Sequence, residues 1–149
     1  MSGKKVKGSD PLNKEERSVR MSKVRSSGNQ STEMRVAATL VKLGVRGWTK
    51  HPLTVIGKPD FLFSSERVVV FVDGCFWHGC ARCARPMPVS RHSFWKSKIE
   101  GNKRRDRRIR SRLRSQGFHV IRIWEHSLNS NAWVRRLCKT LELAGRNHF

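Results

Sequence analysis

The chain has 149 residues, enough for one ordinary domain with a modest core, and 37% of them are apolar. Thirty-two lysines and arginines face eleven acids, a formal charge of +21 that would repel itself unless it met a polyanion, nucleic acid before an acidic membrane surface. No apolar run approaches the ~20 residues that cross a bilayer, and the lysines of residues 1–10 precede no apolar stretch, which argues against a signal peptide and for a reducing, cytoplasmic setting.

Residues 1–28 are polar and basic, broken by Gly3, Gly8, Pro11 and Gly28, and read as a mobile arm that could order on a phosphate backbone. One domain is expected over residues 29–149. Ser31 or Thr32 can cap a helix carrying Val36, Ala37, Leu40, Val41 and Leu43, stopped by Gly44. Runs 59–63 and 68–73 read as strands, and the polar Ser64-Ser65-Glu66-Arg67 between them predicts an antiparallel hairpin. Residues 74–88 are irregular and rich in cysteine. A long helix is expected over residues 90–116, ended by Gly117, and a strand over 118–124. Asn129 or Ser130 can cap a last helix with Trp133, Val134, Leu137, Cys138 and Leu141 on one side. The order is helix, two or three strands, helix, strand, helix, in an α/β domain.

Four constellations could carry chemistry. Cys75, Cys80 and Cys83 lie close in sequence, and the C-x-x-C spacing of the last two suits a tetrahedral Zn²⁺. His126, just after a strand, is the preferred fourth ligand. Cys138 is the rival, although on the apolar stripe of a helix a thiol is commonly buried and inert. Next, Asp60 follows Pro59 at a strand entry, where a carboxylate can share Mg²⁺ with a phosphate. The hairpin brings Asp73 toward it, and two acids held close usually have a cation between them. A lone Pro-Asp, by contrast, is most often just a turn.

On the long helix, Ile99, Asn102, Asp106, Ile109 and Leu113 share one face. A polar pair on a core stripe needs partners, since leaving it unsatisfied costs about 1–3 kcal/mol. Asp106 could pair with a neighbouring arginine, or line a cleft and orient a histidine. The rest of that helix, Lys103, Arg104, Arg105, Arg107, Arg108, Arg110, Arg112 and Arg114, has almost no acids to pair with and reads as a ridge facing phosphates. Finally, Phe76, Trp77 and Trp95 could stack on bases or wedge between them, with core packing the plainer alternative.

Taken in order and spacing, GKPDFLF, VVVFVDGCFWHGC, FWKSKIEGNKRRDRRI and VIRIWEHSL resemble the very short patch repair (Vsr) endonucleases, and SVRMSKVRSSGNQSTE resembles that family's N-terminal segment. The match covers residues 17 to about 128. The resemblance implies a restriction-endonuclease-like core, a central mixed sheet flanked by helices, and Mg²⁺-dependent nicking of one DNA strand beside a T:G mismatch left by deamination of 5-methylcytosine. By position, Asp60 is the principal Mg²⁺ ligand, with the Val72 carbonyl; Glu33 supports the metal waters; His78 moves the proton beside Asp106. Cys75, Cys80, Cys83 and His126 fall on or beside the positions of a structural Zn²⁺ site. Phe76, Trp77 and Trp95 match aromatics that wedge into the duplex. A basic surface including Asn102, Lys103, Arg104, Arg107 and Arg108 is expected to meet the DNA, with the protein acting as a monomer.

The chain also departs from that pattern. Family members carry a histidine where Asp73 stands and a threonine where Val72 stands, so a second catalytic histidine is missing and Asp73 could instead bind metal. Two residues separate Cys80 from Cys83, a different zinc spacing. Two other functions fit the same residues: a related restriction or homing endonuclease cutting unmodified duplex DNA, and a non-catalytic zinc-stabilised DNA-binding protein. The last has no use for Glu33, Asp60 and Asp106 in a basic cleft.

Overall fold

A computed structural model describes residues 31–146. The basic arm expected over residues 1–28 lies outside them. Within them the chain forms α1 (helical over residues 31–42), β1 (Trp48–Lys50), β2 (Phe61–Phe63), β3 (Val68–Asp73), α2 (His92–Ser115), β4 (His119–Trp124), a 3-10 turn (Glu125–Asn129) and α3 (Ala132–Arg146). No helix among the described residues is long and apolar enough to cross a membrane.

The strands form one mixed sheet in the order β1-β2-β3-β4. β1–β2 and β2–β3 are antiparallel, as the polar turn at 64–67 predicts, and β3–β4 is parallel. Parallel neighbours need a long crossover, and α2 supplies it. The period of two along each strand then sorts the core. Val68, Val70, Val72, Ile121 and Ile123 face a cluster with Val36 and Leu40 of α1 and Trp133, Leu137 and Ala144 of α3. Leu62 and Val69 face the other way, onto Leu113 of α2, with Phe71, Ile109 and Val120 packed around them. The expected α/β architecture, a mixed sheet between helices, is what the chain adopts.

Element ends differ from expectation by a few residues, each for a local reason. Ser31 and Thr32 are already helical, so neither is a cap within the described residues. Gly44 (φ 68) and Gly117 (φ 84) do end α1 and α2. In both, the next residue's N–H reaches back five residues, Val45 to the Leu40 carbonyl at 2.9 Å and Phe118 to the Leu113 carbonyl at 3.0 Å. The strand expected from residue 59 is assigned only from Phe61, because Pro59 has no N–H to donate. β1 appears as an edge strand against β2. α3 begins at Ala132, so Asn129 and Ser130 do not cap it; Asn129 ends the 3-10 turn that the sequence did not reveal.

Because Leu137 is fully buried while Leu143 on the same helix is half-exposed, truncation should discriminate between them. Chemical denaturation of Leu137→Ala should show a loss of about 2–5 kcal/mol, and Leu143→Ala a change within about 0.5 kcal/mol.

Candidate active site and metal centre

Alternation along the strands decides which polar side chains meet. Asp73 and Arg122 follow the parity of Phe71 and Val120, so both project toward α2. There they meet Asp106, from the middle of the stripe Ile99, Asn102, Asp106, Ile109 and Leu113. Arg122 bridges the two acids, binding Asp73 Oδ2 through Nε and Asp106 Oδ2 through Nη2 at 3.2 Å. His78 enters from the loop after β3. Its Nδ1 lies 2.6 Å from Asp106 Oδ2, and its Nε2 lies 3.5 Å from Asp73 Oδ1. Burial pushes the Asp106 carboxyl up, but the hydrogen bond and charge of His78, with Arg122 and Arg105, outweigh it and hold the group below its ordinary value. Asp106 thus contacts both an arginine and a histidine.

Two glycines let the loops lie this close to α2. A Cβ at Gly79 (φ 60) would fall 2.8 Å from Ile99 Cγ2, and one at Gly57 (φ 80) 2.3 Å from Ile109 Cγ2.

Asp60 is pinned from three sides. Its N–H donates to the Val70 carbonyl at 2.9 Å, its carbonyl accepts from His51 N–H at 3.0 Å, and its Oδ2 accepts from Val72 N–H at 2.6 Å. Glu33, at the start of α1 and almost fully buried, reaches the same place: Oε2 lies 2.7 Å from His51 Nε2 and 3.6 Å from Lys50 Nζ. Burial first, then a hydrogen bond to Glu33 and the charges of Glu33 and Asp73, push the Asp60 carboxyl up to about 8, against the opposing Val72 hydrogen bond. A carboxyl held neutral beside a second acid is the condition a divalent cation relieves. Donor atoms of Glu33, His51 and Asp60 lie within 4.8 Å of one another and could hold such an ion.

His51 and Arg122 are the site residues that sequence reasoning missed. His51 stands 18 residues from Glu33 and nine from Asp60, with no spacing to link them. Arg122 did leave a trace, as a lone charge inside the apolar run of β4.

One cleft of about 490 Å³ joins the two halves. Lys58, Asp60, Val72, Asp73, His78, Arg105, Asp106, Arg110 and Arg122 are among its lining residues. It opens where β3 and β4 end together, the usual position for ligands in open α/β sheets. Beside it, Cys75, Cys80, Cys83 and His126 converge. The three sulfurs lie 3.3, 3.5 and 3.4 Å from His126 Nδ1, close to the roughly 3.5 Å edge of a tetrahedral Zn²⁺ site. Burial holds the Cys75 thiol up at about 11, so its ionisation calls for a cation. Cys138, half-buried on α3, is not part of this group.

Phe76, Trp77 and Trp95 form a half-buried aromatic cluster, with ring centroids 5.2–5.7 Å apart. Asn102 donates its amide to the Trp77 carbonyl at 2.9 Å, tying that cluster to α2 rather than facing solvent. Lys103, Arg104, Arg107 and Arg108 of α2 are exposed, Lys103 lying beside Gly79 in the loop after β3.

The raised Asp60 carboxyl has a direct consequence in protein dialysed free of Mg²⁺. Below about 4 it is protonated whether the chain is folded or not. Between about 4 and about 8 the folded state holds a proton that the unfolded state has released, so the group's contribution to stability falls as pH rises. Asp60→Asn should therefore gain stability relative to the parent across that window, and thermal unfolding from pH 4 to pH 8 should show the gap widening.

Comparison with known proteins agrees with this geometry. A model of the family "DNA mismatch endonuclease Vsr" matches residues 9–85, just over half of the chain. The chain is 38% identical over 120 residues to a type II nicking enzyme, V.XorIIP, of Xanthomonas oryzae pv. oryzae, covering 80% of this chain and 87% of that relative. It is 39% identical over 115 residues to the type II nicking enzyme V.NaeI of Lentzea aerocolonigenes, covering 74% and 68%. It is 34% identical over 115 residues to the DNA mismatch endonuclease Vsr of Escherichia coli, covering 76% and 73%. The mixed sheet between helices is the restriction-endonuclease-like core of that family. The chain belongs to the Vsr family of DNA endonucleases.

Proposed function

We propose that this endonuclease nicks one strand of double-stranded DNA beside a T:G mismatch of the kind produced by deamination of 5-methylcytosine, using Mg²⁺ held by Asp60. The observation that carries the reading is one cationic cleft presenting Asp60 and the His78–Asp106 pair together. The names of the relatives, nicking enzymes and a mismatch endonuclease, support single-strand cleavage and the mismatch target.

The donor set suits Mg²⁺. Asp60 has one oxygen fixed by Val72 N–H, which leaves Oδ1 for the ion, with the Val72 carbonyl and Glu33 completing the protein's share. When bound, Mg²⁺ polarises the scissile phosphate and lowers the pKa of a coordinated water. His78 moves the proton at Nε2, since Nδ1 is engaged by Asp106, which fixes the ring. Asp73 acts on the histidine side: it faces His78 Nε2 and holds Arg122. Lys58, Arg105, Arg110 and Arg122 draw the phosphate into the cleft. The ridge of Lys103, Arg104, Arg107 and Arg108 follows the neighbouring backbone. Phe76, Trp77 and Trp95 form the wedge that opens the duplex at the lesion.

The Cys75, Cys80, Cys83 and His126 group holds a structural Zn²⁺, because four protein ligands leave no place for water. The enzyme works as a monomer, in the cytoplasm, on the bacterial chromosome, through a catalytic domain over residues 29–149.

Two outcomes test this reading. Single-turnover assays with Mg²⁺ on a panel of matched, methylated and T:G duplexes should give a nick in one strand of the T:G duplex. Asp60→Ala should abolish it while Ca²⁺-supported binding survives, and His78→Ala should slow it on the order of 10²–10⁴-fold. Equal cleavage of matched duplexes would favour a restriction or homing enzyme, and no cleavage of any duplex a binding protein. Separately, metal analysis of protein purified without added zinc should find one equivalent of Zn²⁺. Cys83→Ala should lose it together with thermal stability, since zinc binding is partly folding energy.

A further inference from the structure

With Asp60 and Glu33 as the side-chain acids of the Mg²⁺ site, His51 is left without a part. The backbone argues otherwise. β1 and β2 pair Lys50 with Phe61, and the next pair outward is His51 with Asp60. The His51 N–H donates to the Asp60 carbonyl at 3.0 Å, so the sheet register itself sets the imidazole beside the carboxylate. His51 holds a left-handed backbone (φ 49), uncommon for residues other than glycine although histidine adopts it more readily than most.

The side-chain distances then show an imidazole paired with Glu33 and held close to Asp60. His51 Nε2 lies 2.7 Å from Glu33 Oε2 and 4.0 Å from Asp60 Oδ1. The second separation is too long for a hydrogen bond. Two donors at metal–ligand distances of about 2.1 Å are about 3.0 Å apart when adjacent and about 4.2 Å apart when opposite. The 4.0 Å separation falls inside that range and the 2.7 Å one just below it, so a small turn of the ring brings both to ligand spacing. The Asp60 oxygen concerned is Oδ1, since Oδ2 is engaged by Val72 N–H. The ring is more than half exposed, so it can turn onto an ion without breaking a packed contact.

We propose that His51 Nε2 is a direct ligand of the catalytic cation. The site then offers one imidazole nitrogen beside two carboxylates and takes a borderline divalent cation of the Mn²⁺ type more tightly than Mg²⁺. Imidazole nitrogen favours transition metals, whereas Mg²⁺ takes oxygen and keeps its waters. The chain that lacks a second histidine at position 73 thus carries one at position 51, on the metal side of the cleft. This inference rests on the reading of Asp60 as the metal acid, and its test separates the two.

The probe is Mn²⁺ added to the zinc-loaded full-length protein, read by pulsed electron paramagnetic resonance for ¹⁴N coupling and by titration for affinity. The parent should show imidazole ¹⁴N coupling. His51→Gln, which exchanges the nitrogen for an amide, should lose that coupling, and its Mn²⁺ affinity relative to Mg²⁺ should drop by about tenfold or more. Asp60→Ala should lose the Mn²⁺ site altogether. A bound Mn²⁺ that needs Asp60 but shows no ¹⁴N coupling, or the same coupling in His51→Gln, would overturn His51 as a ligand and leave Asp60 in place. Mn²⁺ binding indifferent to Asp60→Ala would overturn both.

Discussion

The parallel pairing of β3 with β4 governs most of what this molecule can do. Six residues pair in register from Val68 with His119 to Asp73 with Trp124, so both strands stop at one edge of the sheet. The segments leaving the two strands are therefore held together at that edge. After β3 come Cys75, His78, Cys80 and Cys83; after β4 comes His126. The Cys₃His group thus draws its members from just beyond both strand ends, and a metal ion held there would tie those ends together much as a disulfide closes a loop. Cys75 N–H also donates to Glu125 Oε2 at 3.1 Å across the same gap.

The same pairing sets the electrostatics of the cleft. Asp73 and Arg122 lie on neighbouring strands with the same parity, and α2, which the parallel crossover requires, presents Asp106 to both. One guanidinium between two carboxylates, with a histidine facing each acid, makes a network in which every charged member has a counter-charge. Such groups tolerate partial burial because each is paired and hydrogen-bonded. Arg122 also stacks over Trp124, 4.1 Å from its ring centre, and Trp124 lies nearly parallel to His126. The Cys₃His group and the Asp73–Arg122–Asp106 network are thus neighbours through the Arg122–Trp124 and Trp124–His126 contacts.

On the other side of the cleft the logic is reversed. Burial first, and the neighbouring Glu33 second, push the Asp60 carboxyl up to about 8. One side of the cleft is thereby charge-compensated, while at the other side Asp60, with Glu33 and His51 behind it, forms a group that could hold a cation. In a chain carrying +21, with lysine and arginine in large excess, four of the eleven acids, Glu33, Asp60, Asp73 and Asp106, are gathered in this one region.

Much of this was legible in the sequence. The polar turn at 64–67 between two apolar runs specified the β2–β3 hairpin, and Gly44 and Gly117 specified where two helices stop, because those signals are local. The stripe of α2 showed that Asn102 and Asp106 sit among core residues, and C-x-x-C with Cys75 and His126 outlined a group that converges and could hold a metal ion. Tertiary structure alone decided the rest. Asn102 turned inward to the Trp77 carbonyl, Arg122 came to bridge Asp73 and Asp106, and His51 was set against Glu33 and Asp60. Each of these depends on strand register and side-chain parity across segments far apart in the chain, and a shift of one residue would send the same side chains to the opposite face.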